Sequence, residues 1–170
     1  MTILKLCQKN KREIQKLLLN LQINKSSTKI SLIMFTIKKR INFYDCDPAG
    51  ILFYARLFEI SHSVYEEMIN SFNLKENYWT NEKFLVPITK TDGAYFKPVK
   101  YGDLISINLT VTLKKENSFE LTYDWFDKSG NLVAKARTVH VFVDKKLWVK
   151  IPIFDEIIKG LEAHQRDVNL

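Results

Sequence analysis

The chain has 170 residues, 46% hydrophobic and 12% aromatic, with 26 Lys+Arg against 19 Asp+Glu and a net charge of +7. That length suits one domain with a tail, which can bury roughly 70% of its unfolded surface without a disulfide or a metal. Five Gly and four Pro exclude collagen-like and linker-dominated chains, and the two cysteines, Cys7 and Cys46, make no disulfide framework and no zinc-finger spacing.

No apolar run nears the ~20 residues of a membrane span, so no stable membrane insertion is expected. The cysteine usage makes a reducing, cytoplasmic setting the default expectation.

The charge is uneven along the chain. Residues 1–33 hold seven basic residues against Glu13 alone, so +6 of the charge lies there and residues 34–170 carry +1. Within this front segment Leu4, Cys7, Ile14, Leu18 and Leu21 recur at three- and four-residue spacing, interrupted by Lys11. The spacing predicts a basic amphipathic helix followed by a polar stretch. Three readings stand: a surface helix or frayed tail, upstream sequence with Met34 as the true start, or a targeting or membrane-surface segment. The expected organisation is therefore a basic extension over 1–33, one domain over 34–165 and a short tail over 166–170.

From Phe35 the pattern becomes β-branched and aromatic, and 35–43 reads as a strand. Residues 44–50, Tyr-Asp-Cys-Asp-Pro-Ala-Gly, are dense in turn formers. Then Tyr54, Leu57, Phe58, Ser61, Val64, Tyr65, Met68, Ile69 and Phe72 fall on a wide helical stripe, which predicts a long, well-buried helix. Residues 70–83 read as a loop carrying Tyr78 and Trp79. After Phe84 the period drops to two. Strands are expected over 85–96, 104–114, 119–126 and 133–143, with a hairpin turn at 127–131. A last short helix is expected over 153–163. A strand, a buried helix and four strands in series predict an α+β fold, a meandering antiparallel sheet wrapped around one central helix. Without GxGxxG, GxxxxGK[ST] or alternating βαβ, nucleotide-binding folds are disfavoured.

Chemistry is best placed in the loop before the helix. An acid there faces the positive end of the helix dipole, and the free first-turn N–H groups can polarise a carbonyl. A carboxylate beside such donors can attack an acyl carbon or activate water. Spacing alone leaves Asp47 equally readable as an N-cap or turn residue. The Asp45-x-Asp47 pair also allows a divalent-metal or aspartyl-phosphate site, but no downstream acid cluster supports one.

The run Phe43-Tyr-Asp-Cys-Asp-Pro-Ala-Gly-Ile-Leu-Phe-Tyr54 resembles the signature of the 4-hydroxybenzoyl-CoA thioesterase family of hotdog-fold proteins. The likeness spans about residues 35–165. It implies a five-stranded hotdog fold and hydrolysis of an acyl-CoA thioester, with no metal or redox cofactor. It implies Asp47 as nucleophile or general base and Tyr54 as the helix-start residue whose N–H polarises the thioester carbonyl. Gly50 would be the glycine that lets the chain turn close to substrate. Eight residues after Tyr54, where many members carry Glu or Asp, stands His62. The run Ser61-His-Ser-Val-Tyr-Glu-Glu67 looks more like the 1,4-dihydroxy-2-naphthoyl-CoA thioesterases of menaquinone biosynthesis. His62 is also readable as a satisfied, partly buried histidine, and His140 and His164 as a strand-face and a tail histidine. The family implies a homodimer or homotetramer with edge-joined sheets and active sites between subunits.

CoA carries phosphates, so cationic side chains should line its groove. Lys97, Lys114, Lys115 and Arg137 are the candidates, and each is also readable as solvated surface charge. Trp79 is a candidate cap for an aromatic acyl group or a packing residue, and Cys46 a small packed residue. The rivals keep the fold and change the acyl group (short- or medium-chain) or the reaction (a dehydratase or a non-catalytic acyl-CoA-binding module), or assign the basic front segment to nucleic acid. A body near neutral charge favours one CoA over a polyanion.

Overall fold

The structure is a computed structural model and describes residues 34–165. The expected basic amphipathic helix of 1–33 and the tail of 166–170 lie outside the described residues. Strand β1, Phe35–Arg40, leads through a 3-10 turn at Phe43–Asp45 and a tight loop into helix α1, Tyr54–Asn70. Strands β2 (Phe84–Leu85), β3 (Ile88–Tyr95), β4 (Leu104–Lys114), β5 (Ser118–Phe126), β6 (Leu132–Val141) and β7 (Val143–Asp144) follow, and then helix α2, Asp155–Glu162.

Five strands form one antiparallel sheet in the order β1-β4-β5-β6-β3, and β2 pairs with β7 in a small second sheet. This is the hotdog arrangement. It differs from a simple meander. Only β4, β5 and β6 follow one another side by side, while β3, the first long strand after the helix, crosses to the far edge beside β6. The predicted strand over 85–96 also breaks at Val86-Pro87, since Pro87 has no N–H to donate to a ladder. Phe142 interrupts the predicted last strand and passes its N–H to Asn117 O at 2.9 Å.

The helical stripe read from the sequence is the buried face. Leu57, Ile60, Ser61, Val64, Tyr65, Met68 and Ile69 all face the sheet. Their partners are the inward rows of the central strands. Trp125 lies between Ile107 and Ala134 in the register, and Tyr123 between Leu109 and Ala136. Such large side chains contribute roughly 1.5–3 kcal/mol each on full burial. Trp125 Nε1 donates to Ser61 Oγ at 3.3 Å, which explains a serine in the stripe.

The helix packs tightly against Gly93 of β3. Gly93 sits opposite Ala136 in the register, and a Cβ on Gly93 would stand 3.0 Å from Leu57 Cδ2 and 3.0 Å from Phe58 Cζ. A similar contact docks α2: a Cβ on Gly160 would fall 2.3 Å from Phe72 Cδ2. His164 is no loose tail residue. It stacks on Phe72 with ring centroids 6.1 Å apart, meets Phe35 edge-on, and its carbonyl accepts from Val111 N at 2.9 Å.

Candidate active site

The loop between β1 and α1 is a miniature hairpin. Cys46 bridges Leu52, and Asp47 N donates to Ile51 O at 2.9 Å. The turn closes through Gly50 N to Asp47 O at 2.9 Å, with Gly50 at φ +75°. That left-handed backbone explains the glycine, because a Cβ there would be strained while open space surrounds it. Asp47 Oδ1 accepts from Ala49 N at 2.8 Å, an Asx turn. Its Oδ2 makes no hydrogen bond among the described residues. The turn reading of Asp47 accounts for Oδ1 and leaves Oδ2 without a partner among the described residues.

The two acids of Asp45-x-Asp47 do different work. Asp45 is 2% exposed; its Oδ2 accepts from Asn42 N at 2.8 Å, and Oδ1 lies 3.7 Å from Arg56 Nε. Its carbonyl accepts from Phe53 N at 2.9 Å. Asp45 therefore fixes the loop against the helix start, with its carboxylate oxygens engaged by Asn42 N and Arg56. Cys46 lies between them. Burial, then the charges of Asp45 and Asp47, push its thiol up from the usual 9.0, which keeps it protonated and un-nucleophilic. It packs against the core, as read from the sequence.

Among the described residues no side chain caps the start of helix α1, and its first turn holds no acid. Its first N–H groups lack intrahelical partners, and the helix dipole adds partial positive charge there. This end opens on a cleft of about 480 Å³ lined by Asp47, Phe53, Tyr54, Tyr95, Phe96 and Lys97, among others. Asp47 and Tyr54 therefore line one cleft, with Gly50 in the turn between them. Tyr95 and Phe96 were not foreseen. They sit at the end of β3, and Tyr95 Oη donates to Tyr54 O at 2.6 Å, tying the edge strand to the helix start. The only hint in the sequence was an aromatic pair at the end of a strand run.

The other candidates are dispersed. His62 stands eight residues down α1 from Tyr54, about 12 Å along the axis. It is exposed, with Nε2 3.4 Å from Glu66 Oε1, and its ring lies 6.4 Å from that of Trp79. Trp79 Nε1 donates to Asn70 Oδ1 at 3.1 Å. His62 and Trp79 thus form a pair of their own, apart from Asp47. Of the four cations only Lys97 lines the cleft. Lys114 pairs with Glu162, and Lys115 is exposed in the β4–β5 turn. Arg137 alternates with buried Ala136 and so points to the outer face of the sheet, 3.0 Å from Asp92 and 3.4 Å from Glu120. Hydrogen bonding to Asp92 and the charge of Glu120 hold its guanidinium even more firmly protonated.

Comparison with known proteins agrees with this geometry. The profile of the thioesterase-like superfamily matches residues 41–161. The 1,4-dihydroxy-2-naphthoyl-CoA hydrolase of Crocosphaera subtropica is 31% identical over 135 residues, covering 78% of this chain and 98% of that protein. The protein of the same name from Nostoc punctiforme is 34% identical over 135 residues, covering 78% and 90%. The crystal structure of a 1,4-dihydroxy-2-naphthoyl-CoA thioesterase from Synechocystis superposes with a TM-score of 0.71 at 24% identity, covering 81% of this chain and 98% of that one. The hotdog sheet, the Asp47 loop at the start of its helix and these relatives agree: the chain belongs to the thioesterase-like superfamily.

Proposed function

We propose that the protein hydrolyses an aromatic acyl-CoA thioester to the free acid and CoA, with 1,4-dihydroxy-2-naphthoyl-CoA as the substrate to test first. The observation that carries this reading is one cleft lined both by Asp47, whose Oδ2 makes no hydrogen bond among the described residues, and by Tyr54 at the start of α1. The named relatives support the acyl group.

The thioester carbonyl oxygen lies against the first-turn N–H groups, Tyr54's among them, which stabilise negative charge as it develops. Two routes use Asp47. As general base it takes a proton from water while the hydroxide adds to the acyl carbon; the tetrahedral oxyanion collapses, the C–S bond breaks, and the proton passes to the CoA thiolate. As nucleophile its carboxylate oxygen bonds the acyl carbon and expels the thiolate, and water then cleaves the resulting anhydride. Lys97 at the rim meets the CoA phosphates.

That neighbour is the second part of the reading. Strand β3 is an edge strand exposed along nearly its whole length, with unpaired backbone groups on one side. We propose that it pairs with β3 of a second copy, giving a homodimer, itself able to pair into a tetramer. Among the described residues no helix is long and apolar enough to cross a membrane, and we place the reaction in the cytoplasm.

Turnover of a panel of acyl-CoAs by Asp47→Asn tests the reading. Loss of about 100- to 10,000-fold with the aromatic substrate is expected for removal of a catalytic acid–base group. Full turnover by that variant overturns it.

A further inference from the structure

The structure holds a second apolar groove that the proposed reaction has not used. It encloses about 300 Å³ and is lined by Tyr78, Trp79, Val86, Pro87 and Trp148, with Phe84 and Leu85. One wall is the turn after β7, where Leu147 is 73% and Trp148 67% exposed. The turn is rigidly made. Asp144 Oδ1 accepts from Lys146 N at 2.9 Å and Leu147 N at 2.8 Å, and Trp148 N donates to Asp144 O at 2.9 Å. Trp148 adopts φ +57°, a left-handed backbone that a bulky residue rarely takes. A large ring held open to solvent in that conformation marks a position shaped by something other than the core of its own chain.

The two grooves lie at opposite ends of β3. Tyr95 and Phe96 line the Asp47 cleft, and Val86 and Pro87 line the second groove. Eight extended residues, Ile88–Tyr95, separate them, which is roughly 25 Å. No acyl group spans that distance within one chain. A twofold dimer changes the geometry. A strand that pairs with its own copy across a twofold axis runs antiparallel to it, and the interface is self-complementary. Pairing that uses all eight residues sets Ile88 of one chain opposite Tyr95 of the other. The Trp148 groove of each chain then adjoins the Asp47 cleft of its partner, one strand spacing away (~4.8 Å).

We infer that Trp148, with the Trp79–Pro87 groove beside it, forms the aromatic wall of the acyl pocket in trans, against the thioester held by the partner's Asp47. This rests on the proposed dimer and on Asp47 chemistry. The groove presents flat rings and no buried charge, so it suits a planar aromatic acyl group over a straight chain. Trp148 is a specificity-determining residue here and takes no part in the bond changes.

The test uses the full chain with 1,4-dihydroxy-2-naphthoyl-CoA and hexanoyl-CoA. In Trp148→Ala the ratio of kcat/KM for the aromatic over the aliphatic substrate should fall roughly tenfold, the worth of a lost ring contact, and Trp148→Phe should restore most of it. A mixed dimer of Asp47→Asn and Trp148→Ala chains, purified through two different tags, then assigns the subunit. In trans, each mixed dimer keeps one intact site, with wild-type KM and selectivity and half the turnover. A mixed dimer with the KM and selectivity of Trp148→Ala places the wall in cis and overturns the inference. So does an unchanged substrate ratio in Trp148→Ala while Asp47→Asn is inactive, which leaves the hydrolase reading standing. An active Asp47→Asn refutes that reading instead, whatever Trp148 does.

Discussion

His140 should make the fold acid-sensitive through a single proton. It is fully buried on β6, stacked flat on Phe119 with centroids 4.7 Å apart and 4.4 Å from the ring of Tyr65. Nε2 shares a hydrogen bond with Thr138 Oγ1 at 2.8 Å, and Nδ1 has no hydrogen-bond partner among the described residues. Burial first, and the charge of His62 second, lower its pKa from 6.5 to about 3. The folded state therefore keeps His140 neutral at pH 5, while the unfolded chain takes up a proton there. Its contribution to stability is complete above the unfolded value of 6.5 and is lost as pH falls toward about 3. The slope approaches 1.4 kcal/mol per pH unit, so from pH 7.5 to pH 5.0 this group alone removes about 2 kcal/mol. Urea unfolding at both pH values, at one protein concentration, should show wild type losing about 2 kcal/mol more than His140→Phe. Phenylalanine keeps the aromatic stack and cannot titrate; the other histidines and the carboxylates are common to both proteins and cancel. Parallel losses in the two proteins would refute the argument that His140 is held neutral by burial.

Three further outcomes follow from the geometry. Gly160→Ala should destabilise the protein by about 1–2 kcal/mol despite better helix propensity, because its Cβ would overlap Phe72, and Phe72→Leu in that background should recover part of the loss in thermal unfolding. Tyr95→Phe removes the hydrogen bond to Tyr54 O and should lower kcat about fivefold, the worth of ~1 kcal/mol, with a melting temperature lowered by only a few degrees; unaltered turnover would show that this tie does not position the helix start. Lys97→Glu should raise KM for acyl-CoA about tenfold at low salt and less at high salt, and leave acyl-N-acetylcysteamine thioesters, which lack the phosphates, untouched.

Features whose information is local were legible in the chain. The three- and four-residue spacing of Leu57 through Ile69 set the buried face of α1, and alternation from Ile105 to Val111 set that of β4. The Asp47–Tyr54 motif carried the family likeness, and with it the cleft at the helix start. Tertiary structure decided what depends on non-local neighbours. A period-two pattern tells which side of a strand is buried but not which strand lies beside it, so β3 at the far edge was invisible. Both acids of Asp45-x-Asp47 look alike in sequence, yet one is consumed by Asn42 N and Arg56 and the other is left facing a cleft. Arg137 and Lys114 read as free cations until the fold brought Asp92, Glu120 and Glu162 to them. Trp148 carried no signal at all, because its exposure arises from a turn closed by Asp144, and the place proposed for it beside a reaction centre depends on the pairing of an edge strand with a second copy.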